Sequence, residues 1–323
     1  MDPERFQESA AADRLRRIYR AYRNQPMCLG HGLVKRVFAA MVGRYQRVTL
    51  ANGLRMELDL DRIVQNTVFW LDGDVEPPLE WLLREMLPPG GTVVDCGANC
   101  GFIGLLARCS RAARVVFVEP HPRLASTIRR NVELNGWSGD CEVVQAAASD
   151  CSGEVVLHTS AKFDGSHSLL PNWVEDDRAD GCEIRVASRT LRSILEERPG
   201  FRPVDLLKVD TEGHDLAVLR GLGDALSPDR ITMIYAELGR DRDEAFGRLE
   251  SAGYEGFAAR TLRRSALNRL RRRSLEGVPT TFFTTWTPDR PPSAETLWVP
   301  RGGPLGRFLR QREAGDQGWN LQD

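Results

Sequence analysis

Lysine is nearly missing from this 323-residue chain: of 44 basic residues only Lys35, Lys162 and Lys208 are lysine, and arginine supplies the rest. A charge excess is missing too. The 44 basic residues face 45 acidic ones, and a net charge of −1 gives no general attraction to nucleic acid or to an anionic membrane. Nucleic acid is therefore not expected as a partner, and only a local patch could recruit it. No stretch reaches the ~18 uncharged apolar residues of a membrane span. The opening MDPERFQESAAADRLRR also has no apolar core of a secretory leader, so the expectation is a cytoplasmic protein without a membrane partner. Seven cysteines form no CxxC pair and no His/Cys cluster at zinc spacing, which excludes a disulfide framework and a cysteine metal site.

With 41% hydrophobic and 28% charged residues, the chain can build a large core. Its length allows either two domains or one large α/β domain with additions. Residues 13–24 put Leu15, Ile18, Tyr19 and Tyr22 at helical spacing, and residues 31–45 continue with Leu33, Val37, Phe38 and Met41. RVTLANGLRMELDL alternates about Asn52-Gly53 and reads as a hairpin whose two central turn positions both need positive φ. These elements predict an N-terminal helical and hairpin cap over 1–75, a surface through which a homo-oligomer could form.

The rhythm changes at Thr92. TVVDCG, ARVVFVEP, CEVVQAAAS, VDLLKVD and ITMIYAEL are short apolar runs separated by helix-length segments, the pattern of a doubly wound, mostly parallel α/β sheet. The main domain is placed at 76–300. Residues 151–190 read as extra strands over one edge, TTFFTTW near 280–286 as the late strand closing the sheet, and 301–323 as a frayed tail.

VVDCGANCG runs from an apolar strand into Asp95, then Gly97, Ala98, Asn99 and Gly101 before an apolar helix start. A dinucleotide loop has glycine where this one has Asn99, so the loop is not built around a pyrophosphate. Eighteen residues past Gly101, VVFVEP ends in Glu119 and Pro120, where a carboxylate at a strand end can accept both ribose hydroxyls. A glycine loop without phosphate features, followed by a ribose acid, suits S-adenosylmethionine. VDLLKVDTEGHDLAVL then sets Lys208, Asp210, Glu212 and His214 at the carboxyl end of a strand, where open α/β sheets bind ligands. Alternation sends Lys208 and Asp210 to one side, with Glu212 and Gly213 at the turn and His214 on the first turn of a helix. In the competing reading Asp210 or Glu212 only caps that helix and His214 lies on the surface.

DCGANCG, VEP, the N-x-x-L-N stretch Asn131 to Asn135 and LLKVDTEGHDLAVLRG together resemble FkbM-type methyltransferases over residues 60–285. The resemblance implies a Rossmann-like Class I fold and S-adenosylmethionine-dependent O-methylation of a hydroxyl on a natural product or sugar. By position, Asp95, Gly97, Asn99 and Gly101 would form the cofactor loop, Glu119 the ribose clamp, and Asp210, Glu212 and Gly213 the strand-end motif. A histidine base at His214 comes from the residues, not from the family, with Asp210 the other candidate. Lys208 and Glu237 are expected at the acceptor. So are Arg271 and Arg272, from a segment, 259–274, with seven arginines and no acid. Two other readings stand beside this one: Mg²⁺ held by Asp210, Glu212 and Glu237 in place of a protein base, and a non-catalytic cofactor-binding module.

Overall fold

β-Branched and apolar runs buried on both faces make the centre of the molecule, a computed structural model that describes residues 5–23, 31–112, 114–160, 165, 167–170, 182–239, 241–261, 281–285 and 295–315. In chain order the first elements are α1 (Ala10–Arg23), α2 (His31–Ala39), the hairpin β1 (Tyr45–Thr49) and β2 (Arg55–Asp59), α3 (Ile63–Leu71) and α4 (Pro77–Trp81). A π-helical turn, Leu82–Met86, leads to β3 (Thr92–Cys96), α5 (Phe102–Ser110), β4 (Arg114–Val118), α6 (Pro122–Leu134), β5 (Cys141–Val144), β6 (Ala147–Ser149), β7 (Gly153–His158) and β8 (Glu183–Thr190). The rest is α7 (Leu191–Glu196), β9 (Val204–Val209), α8 (Asp215–Arg220), β10 (Ile231–Glu237), α9 (Arg242–Ser251), β11 (Tyr254–Thr261), β12 (Thr281–Thr285), β13 (Glu295–Pro300) and α10 (Pro304–Gly315).

The main sheet has eight strands in the order β12-β11-β13-β10-β9-β3-β4-β5. Strands β5, β4, β3, β9 and β10 are parallel, and β13 enters antiparallel between β10 and β11 with Ile234 opposite Trp298. This is the Rossmann-like Class I arrangement that the five apolar runs and the late antiparallel strand imply. The period of two along each strand divides the core. Val93, Val115 and Leu206 face a cluster with Leu105, Tyr19, Leu58 and Trp70, while Val94, Val116 and Leu207 face Leu191, Val218 and Leu249. Helix α1, the hairpin and α3 thus share one hydrophobic core with a face of the sheet.

The late strand expected near 280–286 is β12, at the edge of the sheet on β11, and β13 is a further antiparallel strand inside it. The structure revises three local expectations. Residues 304–315 of the supposed tail form α10, because Leu309 finds a buried site on the sheet and Glu313 accepts hydrogen bonds from the Thr285 amide (2.9 Å) and hydroxyl (2.6 Å). The hairpin loop has three residues, and of its two central positions only Gly53 has positive φ (87°). The Gly53 amide donates to Leu50 O and the Leu50 amide to Leu54 O, the pattern of a turn followed by a one-residue bulge. Finally, Ile18, Leu33, Val37 and Met41 are exposed, whereas Ala12, Arg16 and Tyr19 form the buried face of α1. Residues 151–190 do supply extra strands: β7 and β8 join β6 in a separate three-stranded sheet.

One polar contact decides that face. Arg16 is buried and donates to Asp72 Oδ1 (2.5 Å) and to Thr49 O (2.8 Å), while Arg20 takes Asp72 Oδ2 (2.8 Å). Asp72 also accepts from the Ala51 amide at 3.1 Å, so a single carboxylate joins α1, the hairpin loop and the end of α3. The hairpin is tied to the main domain by Asn131, whose side chain accepts from the Glu57 amide (2.8 Å), and by Asn135, whose Nδ2 donates to Arg55 O (2.7 Å). The N-x-x-L-N stretch is therefore a splint along the free edge of β2. Removing one partner of a buried pair costs about 3 to 5 kcal/mol. Arg16→Ala should fall near the lower figure, because Arg20 still reaches Asp72. Chemical denaturation showing a loss under about 1 kcal/mol would refute this role for the pair.

Candidate active site

The loop from β3 into α5 is shaped by three residues in the left-handed region, Gly97 (φ 77°), Asn99 (52°) and Gly101 (82°). A Cβ on Gly97 would stand 1.8 Å from Asp210 O, so only glycine lets this loop lie against the chain leaving β9. Asp95, fully buried, accepts the Gly104 amide at 2.9 Å and so caps the first turn of α5 from beneath. Its other oxygen lies 3.7 Å from Lys208 Nζ, and Lys208 donates to Asp210 Oδ2 at 3.1 Å. Burial opposes the charge on Lys208, but Asp210, Asp95 and Glu76 outweigh it and hold the ammonium well above its ordinary range.

Glu119 ends β4 with its carboxylate 4% exposed. One oxygen accepts the Asn99 amide and the other the His121 amide, each at 2.8 Å, so the acid ties the glycine loop to the neck of α6. An ionised carboxylate oxygen has two acceptor positions, which leaves each of these able to take one more donor from the cavity. Burial pushes the carboxyl up to about 8, against the two amides that favour its charge.

Past β9, Glu212 (φ 53°) and Gly213 (φ 89°) turn the chain so that His214 is the N-cap residue of α8. Asp215 closes the turn by accepting the Thr211 amide (2.7 Å) and hydroxyl (2.8 Å). His214 Nε2 lies 3.0 Å from Ser149 Oγ, whose hydroxyl donates to Asp150 Oδ1 at 3.3 Å. With that hydroxyl turned to Asp150, the ring donates Nε2–H to Ser149 and keeps a lone pair on Nδ1. Burial lowers the imidazole below its ordinary value, against the charge of Asp150.

These groups meet around one cavity of about 990 Å³, its open mouth included. Gly97, Ala98, Asn99, Glu119 and Pro120 line it, as do Lys208, Asp210, Glu212 and His214. Other expected residues lie elsewhere. Asp95 and Gly101 support the loop from behind the wall, and Glu237 is exposed at the end of β10, off the wall. Lys208 does line the cavity, but as a buried link between β3 and β9, with both neighbouring carboxylates already on it. Arg271 and Arg272 lie outside the described residues, as does most of the arginine segment. Sequence reasoning missed Glu76, the residue before Pro77-Pro78, whose half-buried carboxyl is pushed up to about 7 by burial, against Lys208. It missed His167 and the Ala147–Ala148 wall as well. An acid preceding a proline pair was the one visible signal for Glu76.

Among the described residues the lining offers four acids, Glu76, Glu119, Asp210 and Glu212, against one lysine, the already paired Lys208. Such a wall favours a positively charged ligand over a pyrophosphate. The fold and the cavity together place these groups at the carboxyl ends of the parallel strands of a Rossmann-like sheet.

Comparison with known proteins shows the family. The Methyltransferase FkbM domain matches residues 95–262, and the chain belongs to this family of methyltransferases. "Methyltransferase 1" of Beauveria bassiana (strain ARSEF 2860) is 31% identical over 150 residues, 42% of this chain and 60% of that protein. "31-O-demethyl-FK506 methyltransferase FkbM" of Streptomyces tacrolimicus is 30% identical over 186 residues, half of this chain and 70% of that one. A crystal structure of Methyltransferase FkbM from Methylobacillus flagellatus KT aligns over 73% of this chain and 52% of that chain, at 16% identity and a TM-score of 0.42.

The raised Glu119 carboxyl has a measurable effect on the ligand-free protein. The native state keeps this proton to a higher pH than the unfolded chain, so the stability it contributes is full below about 4.5 and is lost as pH rises through about 8. Glu119→Gln removes that loss. Between about pH 5 and pH 8 its melting temperature should fall less steeply than that of the wild type. Parallel pH profiles from thermal melts would contradict the burial of this charge.

Proposed function

We propose that this protein moves a methyl group from S-adenosylmethionine to a hydroxyl of a small-molecule acceptor, a natural product or a sugar. The observation that carries the reading is the acid-lined cavity, with Glu119 at the ribose position and no unpaired cation on its described wall. S-Adenosylmethionine supplies a methyl group already activated on sulfonium, so that the C–S bond breaks as a C–O bond forms and the hydroxyl proton leaves. The work of the protein is alignment and proton removal. Gly97, Ala98 and Asn99 give the ligand close access to backbone, Glu119 takes the ribose hydroxyls, and the carboxylates around Lys208 favour a positive charge nearby. The hydroxyl acceptor is in keeping with the name of the Streptomyces relative.

For proton removal the His214–Ser149–Asp150 chain supports His214 as the base. It is a neutral imidazole on the wall beside Asp210 and Glu212, and its Nδ1 lone pair is set by the bond on the opposite nitrogen. Asp210, bridged to Lys208, orients. The Mg²⁺ reading is less well supported, because an ammonium already sits between Asp95 and Asp210 and neutralises both. Among the described residues no cluster of three or more His, Cys, Asp and Glu stands at metal-ligating spacing.

Two measurements test this. Glu119→Ala removes a charged acceptor from two ribose hydroxyls, and such bonds contribute about 1.5 to 3 kcal/mol, so calorimetry should show S-adenosylmethionine binding at least tenfold weaker. Unchanged affinity in the folded variant would reject the cavity assignment. In His214→Ala, kcat should fall by about 10²- to 10⁴-fold with cofactor binding retained, while Asp210→Asn shows the smaller loss. The acid limb of kcat/KM should lie below 6.5 and disappear in His214→Ala. Near-wild-type turnover in both variants, or loss of turnover on chelation, would overturn the protein-base mechanism.

A further inference from the structure

A second, larger cavity adjoins the first: Leu124 and His167 line both. It takes in about 1620 Å³, its mouth included, between the hairpin, the start of α6 and the three-stranded sheet. Among its described lining residues are four arginines, Arg5, Arg44, Arg62 and Arg123, and one carboxylate, Asp59. That carboxylate is occupied. Arg44 holds both its oxygens at 2.7 and 2.8 Å, and Arg62 Nε lies 3.9 Å away. Arg44 also reaches Asp61 at 2.9 Å, which balances the charge of this pair of arginines. Arg5 and Arg123 remain in excess, with no ion-pair partner among the described residues.

The backbone that carries each is held in place by its neighbours. Phe6 is buried edge-on to Tyr45 (5.4 Å) and Gln7 O accepts the Arg47 amide (3.0 Å), which fixes the chain beside Arg5 at the rim. Arg123 lies in the first turn of the 13-residue α6, with its amide on His121 Nδ1 at 3.2 Å. The positive end of that helix therefore opens on the same space. His121 and His167 stack there with centroids 4.7 Å apart. Both are held neutral, His121 pushed down to about 4 by burial, Arg123 and Arg62, and His167 to about 3 by burial, His121 and Arg62. Burial is the larger cause for both rings, and the nearby arginines act in the same direction.

We propose that this chamber is an anion site, receiving a phosphate- or carboxylate-type group of a small molecule seated beside the cofactor cavity. Guanidinium groups bind such oxyanions in two-pronged fashion, and neutral imidazoles can add donors. The first cavity is acid-lined and the second arginine-lined, so each selects against the ligand of the other. The anion belongs either to the methyl acceptor or to a separate effector. The site stands on the arginines, and only the assignment of the anion to acceptor or effector rests on the methyl-transfer reading.

The probe is inorganic pyrophosphate, titrated calorimetrically into the full chain at constant ionic strength, with S-adenosylhomocysteine as a separate titrant. Wild-type protein should bind pyrophosphate, and Arg5→Gln/Arg123→Gln, which alters two exposed side chains, should bind it at least tenfold more weakly. S-Adenosylhomocysteine affinity should be equal in the two proteins, which also reports that the variant is folded. No binding to the wild type, or equal pyrophosphate affinity in the double variant, overturns the proposal. A second arm identifies the source: labelled methyl transfer into a small-metabolite extract, with and without saturating pyrophosphate. Suppressed labelling assigns the anion to the acceptor, and unchanged labelling assigns it to a separate effector.

Discussion

A buried ammonium organises this molecule. Lys208 lies between Asp95 on β3 and Asp210 just past β9, the two strands whose carboxyl ends frame the cavity. An isolated charge at that depth is costly, and two carboxylates make it tolerable only if all three side chains keep their places. Asp95 is in turn held by the Gly104 amide, and Gly97 permits the close approach of the two loops. Shifting any one of these pieces strands a charge. The bridge therefore acts as a constraint on loop geometry more than as a source of stability.

The same constraint decides the chemistry. With Lys208 neutralised, the described wall presents acids to whatever enters, and Glu119 presents a carboxyl already spanned by two amides. A cationic nucleoside suits this environment and a dinucleotide does not. The neighbouring chamber inverts the pattern, since among its described lining residues arginines outnumber carboxylates and its histidines are kept neutral chiefly by burial. Two adjoining spaces of opposite character, meeting at Leu124 and His167, allow two unlike ligands to sit side by side without exchanging places.

The N-terminal segment has a structural part in this arrangement. Asp72 gathers Arg16, Arg20 and the Ala51 amide, and Asn131 and Asn135 fasten β2 to α6. Through these contacts the hairpin stands over the start of α6 and supplies Arg44 and Arg62 to the second chamber. Glu76 reaches the first cavity by the same route, because Pro77 starts a new helix just beyond it. A segment that reads as an appendage is thus a wall of both spaces.

The five parallel strands were legible because a strand buried on both faces must be a continuous apolar run. The glycine loop and Glu119 were legible because a ligand's approach needs missing side chains and a strand-end acid at fixed spacing. Alternation alone placed Lys208 beside Asp210. Periodicity misjudged α1, since an arginine on its inner face finds Asp72 some fifty residues on, a pairing with no local signature. It passed over α10 and β13, whose apolar residues are few and gain their sites only from strands far away in the chain. Asp95 and Gly101 carry the expected motif but serve the loop from behind, a distinction of depth that spacing does not contain. The Ser149–His214 contact and the arginine chamber join residues from separated elements. Fold class and the glycine loop after β3 rest on local pattern and so can be read along the chain; which charges are paired, and which cavity each one faces, depends on packing, because burial and Coulomb energy depend on distance in space.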